Sequence, residues 1–173
     1  MSDLFLPPIS SMCVRIYFSN KCNPEKLYNK LPITKDIMAL RLKFSRLDID
    51  INLDTKFRTI RLFRNCMNIL SCKNLDEANA IIRKFSQVSG INFNITEIKE
   101  LMVTHKYQIP FHIDIDKILD TDFIKLSPKI IELEHTSFFV NGRNIIQVSS
   151  NSERAHESFV NFTNKINGIM FEG

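Results

Sequence analysis

Apolar and polar residues alternate along several stretches of this chain, as they do in strands with one buried face. The segment RLDIDINL separates two sets of side chains, Leu47, Ile49, Ile51 and Leu53 on one side and Asp48, Asp50 and Asn52 on the other. The segment KFRTIRLF alternates in the same way, and ISSMCVRIYF and IKELMVTHKY also have the character of strands. The pattern predicts an antiparallel sheet that is covered on one face.

Two longer segments carry apolar residues at helical spacing between recognisable ends. In the first, Asn74 is a candidate N-cap and Gly90 a stop; in the second, Asn151 or Ser152 is the cap and Gly168 the stop. The predicted buried positions are Ala78, Ile81, Ile82 and Phe85, then Ala155, Phe159, Phe162 and Ile166. Shorter helices are predicted at NPEKLYNKL and FHIDIDKIL.

One phrase occurs twice, as LFRNCMNILS at residues 62–71 and FFVNGRNIIQ at residues 138–147. Phe63 and Phe139 take equivalent places, and a predicted long helix follows each phrase. Each half then reads strand, short helix, several strands, long helix. This indicates an internal duplication, with repeats at residues 1–95 and 96–173 forming one continuous domain.

Composition narrows the possible functions. The chain has 173 residues, is 44% hydrophobic and carries a formal net charge of +4, so it can bury one substantial core and tolerates a polyanionic partner. Its apolar runs are too short to span a membrane, and its start lacks the order of a signal peptide, which favours an intracellular protein. The irregular spacing of its four cysteines favours free thiols over zinc or disulfides. The sequence shows no catalytic constellation and no cofactor or metal motif, so we expect no enzyme activity.

Taken in order, these motifs resemble those of the TATA-box-binding protein family over roughly residues 6 to 170. PPISSMCV and IKELMV stand where the family's repeats begin, and LFRNCMNILSC and FFVNGRNIIQV resemble its strand-turn-strand phrase. LDEANAIIRKF resembles its helix EEQxRxAARKY, and IPFHID resembles its segment FPIRLE. The resemblance implies an α+β saddle, in which two pseudo-symmetric repeats form one curved antiparallel sheet with helices on the convex face.

The resemblance also implies a set of DNA-contacting residues on the concave face. Family members bend DNA by inserting phenylalanines between base steps in the minor groove. The resemblance assigns this role to Phe44, Phe63, Phe123 and Phe139. A core position remains the alternative for each, because the chain has 14 phenylalanines. The implied groove-floor residues are Ser11, Cys13, Ile69, Ser71, Glu100, Met102, Ile145 and Gln147, and Arg143 is an implied phosphate contact.

Several of these positions depart from the family pattern. Ser11 and Glu100 replace two asparagines that donate hydrogen bonds to the groove, and a carboxylate at Glu100 would face groove acceptors. Asp48 and Asp50 lie on the face expected to meet DNA, where we expect Arg61 to pair with them across the sheet. The departures predict weaker or less selective DNA binding than in standard family members.

Partner surfaces are implied as well. An acidic loop with Asp120 and Asp122 occupies the place of the family's initiation-factor contact, and Arg83 and Lys84 lie on a helix where regulators bind, although solvated charges are the plainer interpretation. The leading hypothesis is a transcription initiation factor that bends A·T-rich promoter DNA and recruits a factor IIB-like protein or RNA polymerase. Such a factor would act in the nucleus, or in the cytoplasm if it comes from a cytoplasmic DNA virus. The alternative is a protein-interaction module, such as half of a heterodimer, with weak or lost DNA binding.

Overall fold

The computed structural model describes the backbone of residues 5–172 and the side chains of residues 5–169. The chain divides into two compact units. The N-terminal unit comprises residues 11–101, and the C-terminal unit comprises residues 102–173 together with the segment that ends at Ser10. Both the backbone nitrogen and Oγ of Ser10 donate to the carbonyl of Thr104, at 2.8 and 2.9 Å. These bonds explain why the chain ahead of the first strand belongs to the C-terminal unit.

The N-terminal unit contains five complete strands and two helices. In chain order they are β1 (Ser11–Phe18), α1 (Pro24–Lys30), β2 (Ile37–Lys43), β3 (Arg46–Asn52), β4 (Phe57–Leu62), β5 (Cys66–Cys72) and α2 (Leu75–Ser89). β6 (Ile95–Gln108) begins in this unit and continues into the next. Hydrogen-bonded neighbours follow the order β2-β3-β4-β5-β1-β6.

The C-terminal unit continues β6 and adds four strands and one long helix. These are β7 (Ile124–Ser127), β8 (Ile130–Leu133), β9 (Thr136–Asn141), β10 (Asn144–Ser149) and α3 (Ser152–Glu172), in the strand order β6-β10-β9-β8-β7. The ladders β6–β10, β10–β9, β9–β8 and β8–β7 are all antiparallel. The expected α+β class is therefore confirmed. In the described part of the chain, no helix combines the length and apolarity needed to cross a bilayer.

The helix ends follow from capping, with one exception. Asn74 accepts a bond from the Glu77 nitrogen at 2.9 Å, and Gly90 adopts φ +72° at the end of α2, as predicted. Asn151 likewise accepts from the Arg154 nitrogen at 2.8 Å at the start of α3. The predicted stop at Gly168 is wrong, because α3 continues to Glu172.

Each unit buries the alternating side chains of its strands beneath its own helices. In the N-terminal unit Leu47, Ile49 and Ile51 are fully buried, as the alternation predicted. In the C-terminal unit Phe138 of β9 stacks on Phe162 of α3 with ring centroids 4.1 Å apart. The predicted short helix at FHIDIDKIL is reduced to a single 3-10 turn at Ile115–Lys117, since its isoleucines are drawn into this core at positions that a continuous helix would not place on one face.

Replacing Phe138 by alanine should lower the free energy of unfolding by about 3–5 kcal/mol, because the substitution leaves a cavity against Phe162. Phe44→Ala is the matched control, since Phe44 is almost wholly exposed and its loss should change stability by no more than about 0.5 kcal/mol. Urea unfolding of both variants measures the difference. Equal losses would contradict the assignment of the core.

Candidate nucleic-acid interface

Each unit has a sheet face opposite its own helices, and these two faces are described separately as the N-terminal and C-terminal open faces. Arg58 shows which side of the N-terminal sheet the helices cover, because its Nε donates to Glu77 of α2 at 3.1 Å. Side chains alternate along a strand. Thr59 and Arg61, which alternate with Arg58 and with buried Ile60 and Leu62 in β4, therefore lie on the open face. In the C-terminal unit the same argument follows from Phe138, whose neighbour Phe139 lies on the open face.

A row of polar side chains crosses the N-terminal open face. Strand pairing places them side by side in the order Arg41, Asp48, Arg61, Asn68 and Arg15, from β2 to β1; we call this the arginine row. Arg61 donates to both carboxylate oxygens of Asp48, at 3.0 and 3.3 Å. Arg15 donates from Nε to the Asn68 side-chain oxygen at 2.8 Å. The expected pairing of Arg61 with an aspartate is confirmed.

The second aspartate on this face is also held by cross-strand partners. Both terminal nitrogens of Arg41 donate to Asp50 at 2.8 Å, and the Thr59 hydroxyl donates to it at 2.7 Å. The bond from Arg41 is the main cause that lowers the pKa of Asp50 below its usual value. Neither aspartate therefore presents an uncompensated charge to the surface.

The N-terminal open face is basic on balance. Along β1 to β5 it carries Lys43 and Arg46 in addition to the three arginines of the row, against two carboxylates. The cations are also the outer groups: the Arg41 side chain is 45% exposed and that of Asp50 is 15% exposed. A partner approaching this face meets guanidinium groups before it meets carboxylates.

The C-terminal open face has a different character. Strand pairing places Ile130, Phe139 and Ile146 side by side across β8, β9 and β10; we call this the apolar row. Lys106 of β6 stands next to Ile146 at its end. Met102 and Ile124 add further exposed apolar surface to this face. Exposed apolar side chains that are grouped on one face are typical of a binding surface.

The four phenylalanines predicted as wedges are placed differently from one another. Phe44 is 97% exposed in the turn between β2 and β3, and Phe139 is 40% exposed on the C-terminal open face. Phe63, which follows β4, is half-buried. Phe123 is only 7% exposed and belongs to the core cluster of the C-terminal unit, against Phe162, so the prediction that it reaches DNA is corrected. Its neighbour Ile124 is the exposed side chain there.

Three predicted floor residues point to the helices instead. Ile69, Ile145 and Gln147 are buried, so their placement on the groove floor is corrected. Gln147 is polar, but its amide donates to the Ala155 carbonyl at 2.7 Å and accepts from the Tyr107 hydroxyl at 2.9 Å. Side chains alternate with a period of two, and an offset of one residue exchanges the faces. The sequence resemblance missed their neighbours on the open faces, Asn68, Leu70 and Ile146.

The remaining predicted DNA contacts reach the surface to different extents. Met102, Ser71 and Arg143 are exposed, and Ser11 and Glu100 are half-buried. Cys13 is nearly buried, and burial raises the pKa of its thiol. Arg143 lies in the turn between β9 and β10 and donates from Nε to the Ile109 carbonyl at 3.1 Å.

Most of the predicted partner-binding residues form pairs within their own unit. Asp120 and Asp122 both bind Lys165 of α3, at 3.3 and 2.5 Å. Lys84 binds Asp36 at 3.2 Å and also donates to the Asn52 carbonyl. Arg83 is exposed on α2. The described residues include no group of three or more His, Cys, Asp or Glu side chains that could hold a metal ion, and all four cysteines are free.

Comparison with known proteins identifies the fold. The chain is similar to the solved structure "Methanococcus jannaschii TBP", with a TM-score of 0.73 and 15% sequence identity over 93% of this chain and 98% of that chain. This shows a TBP-like fold. Neither protein-family models nor curated protein sequences give a significant match.

Replacing Asp50 by asparagine tests the ion pairs of the N-terminal open face. The pKa of Asp50 is lowered in the folded protein, so its carboxylate stabilises the fold above its ordinary pKa, and this contribution disappears as the pH falls through the folded value. Asp50→Asn should therefore cost about 1 kcal/mol at pH 7, and its difference from the wild type should shrink below about pH 4. Urea unfolding across this pH range measures both, with the exposed turn variant Asp54→Asn as control. A difference independent of pH would contradict the pairing.

Proposed function

We propose that this chain is a TATA-binding-protein-like transcription initiation factor that binds duplex DNA through its open faces and bends it from the minor groove. The observation that supports this proposal most directly is that Phe44 and Phe139 are exposed in a chain with a TBP-like fold. The free energy falls when an aromatic ring that is exposed to water becomes buried against another surface. Inserting such rings between base steps supplies that surface and kinks the duplex.

The charge of the N-terminal open face supports a polyanionic partner. Asp48 and Asp50 were the main argument from the sequence against DNA binding, since bare carboxylates would repel phosphates. Both are held by arginines, and this face has more cations than anions. The support that these two residues gave to the alternative, a protein-interaction module without DNA binding, is thereby removed.

The C-terminal open face supports contact with the floor of a minor groove. Ile146 and Phe139 are neighbours across β10 and β9 and form an apolar centre on this face, with Lys106 beside Ile146 and Glu132 beside Ser137 at its margins. The minor groove of A·T pairs presents only acceptors and carries no projecting amino group. A smooth apolar surface can therefore approach A·T pairs closely, which is the basis for proposing A·T-rich DNA as the partner.

Recruitment of other factors is part of the same proposal. Among the four predicted partner residues, Arg83 is exposed on α2, whereas Lys84, Asp120 and Asp122 are engaged within their units. We propose Arg83 as a contact for a regulator and the acidic loop with Asp120 and Asp122 as the contact for a factor IIB-like protein or RNA polymerase; the Asp122 side chain is still 65% exposed. We also propose an intracellular, non-catalytic role for the chain.

Replacing Phe44 or Phe139 by alanine should weaken binding to an A·T-rich duplex about tenfold, because each ring would no longer be buried between bases. The bend angle should fall as well. Fluorescence transfer between dyes at the duplex ends measures the bend, and mobility shift measures the affinity.

Tyr28→Ala is the matched control for these variants. Tyr28 is 41% exposed, as Phe139 is 40% exposed, but it lies on helix α1 and not on a sheet face. It should leave affinity and bend unchanged. If the wild type binds no duplex at low salt, or if all three variants behave alike, the proposal is wrong.

A further inference from the structure

We infer that the N-terminal unit carries a site for a phosphorylated segment of a protein partner. The site is a cleft of about 740 Å³ between the loop of residues 32–36 and one side of α2; we call it the α2 cleft. Arg83 lies in this cleft, so the site rests on the proposed contact of Arg83 with a regulator. It specifies the chemical group that such a regulator presents.

One side of α2 forms the first wall of the cleft. Residues three or four positions apart lie on the same side of a helix. The wall accordingly consists of Ala80, Arg83, Lys84, Gln87 and Val88. The adjacent side of α2 is anchored in the core, where Ile81 and Phe85 are fully buried. The cations of this wall are therefore carried by a fixed element.

The loop that forms the second wall is held by hydrogen bonds. The Thr34 hydroxyl accepts from the backbone nitrogens of Asp36 and Ile37, at 3.1 and 3.2 Å. The Asn52 side chain donates to the Lys35 carbonyl at 3.0 Å. A hydroxyl also has one proton to donate, and both bonds of Thr34 use it as an acceptor. Its proton is thus available to an acceptor oxygen in the cleft.

Lys84 is fixed between the two walls before any ligand arrives. Its ammonium lies 3.2 Å from Asp36 and also donates to the Asn52 carbonyl, and its side chain is only 23% exposed. An ammonium group has three donors, so one remains for a ligand. Because the ammonium is already ordered, binding to it costs little conformational entropy.

The net charge of the cleft matches a phosphate group. Lys35 and Arg83 are exposed, and within the described part of the chain neither side chain has an ion-pair partner. With Lys84 they give three positive charges against the one negative charge of Asp36, which leaves +2. A phosphorylated side chain carries nearly two negative charges at neutral pH and has three acceptor oxygens. A carboxylate would neutralise only half of this charge.

The size and lining of the cleft favour a protein segment over a free ion. Its volume falls in the range of about 300–1,000 Å³ that holds drug-sized ligands, and a phosphate group fills only a small part of it. Pro32, Ala80 and Val88 add apolar surface beside the cations. We therefore assign the cations to the phosphate group and the apolar surface to the residues that flank it in the partner.

The probe is a short fluorescent peptide with one phosphoserine between two leucines, compared with the same peptide without phosphate. Fluorescence anisotropy measures both affinities. The phosphorylated peptide should bind at least about tenfold more tightly, because only its phosphate can accept from Arg83, Lys35 and Lys84. Inorganic phosphate at the concentration of the peptide should not displace it, since the ion lacks the apolar contacts.

Two substitutions and a matched control locate the site. Arg83→Gln and Lys35→Gln should each weaken binding of the phosphorylated peptide about tenfold and leave the weak binding of the other peptide unchanged. Both side chains are exposed, so these variants should fold. Lys73→Gln removes an equally exposed cation that does not line the cleft, and it should bind the phosphorylated peptide like the wild type.

Mobility shift with an A·T-rich duplex is measured in parallel to separate this site from DNA binding. If the two peptides bind alike, if Lys73→Gln weakens binding as much as Arg83→Gln, or if inorganic phosphate displaces the peptide, the site is wrong even where the duplex is bound. If the phosphorylated peptide binds through Arg83 and Lys35 but no duplex is bound at low salt, the phosphate site stands and the proposed binding of DNA fails.

Discussion

A strand can present only every second side chain to a helix, and this constraint governs both units. In the N-terminal unit Leu47, Ile49 and Ile51 are fully buried; in the C-terminal unit Phe138 stacks on Phe162. Burial of these residues provides the main stabilisation, and it leaves their neighbours on the other face free to differ. The chemistry of each open face is thus independent of the core beneath it.

The N-terminal open face uses that freedom to hold charges in a fixed arrangement. Asp48 and Asp50 would be unfavourable if they were left unpaired away from water, and each is satisfied by partners on neighbouring strands. The antiparallel register is what brings Arg41 and Arg61 to either side of Asp48. A register shift of one residue would send these charges toward the helices, so the ion pairs and the core specify the same pairing.

The C-terminal open face uses the same freedom to expose apolar residues. Phe139 and Ile146 are partners across β9 and β10, directly beside buried Phe138 and Ile145. Exposed apolar residues do not stabilise an isolated domain, and their grouping in one row indicates a surface that is covered when the protein is bound. Phe44, nearly free of contacts in its turn, fits the same explanation in the other unit.

The sequence by itself determined the elements whose signals are local. Asn74 and Gly90 mark the two ends of α2, because caps act through neighbouring backbone groups. The alternation around Leu47 identified which residues share a face. It also indicated the pairing of Arg61 with an aspartate, since opposite charges on adjacent strands attract. The order of motifs was enough to indicate the TBP-like fold.

Tertiary structure decided which face is covered. Alternation indicates only that Ile145 and Gln147 share a face. That face is covered because α3 packs against it, and the buried amide of Gln147 is satisfied by the Ala155 carbonyl and the Tyr107 hydroxyl. Phe123 was assigned to the surface although its ring packs against Phe162, and α3 passes through Gly168 without adopting a positive φ there. These outcomes depend on contacts between residues far apart in the chain, which local patterns do not encode.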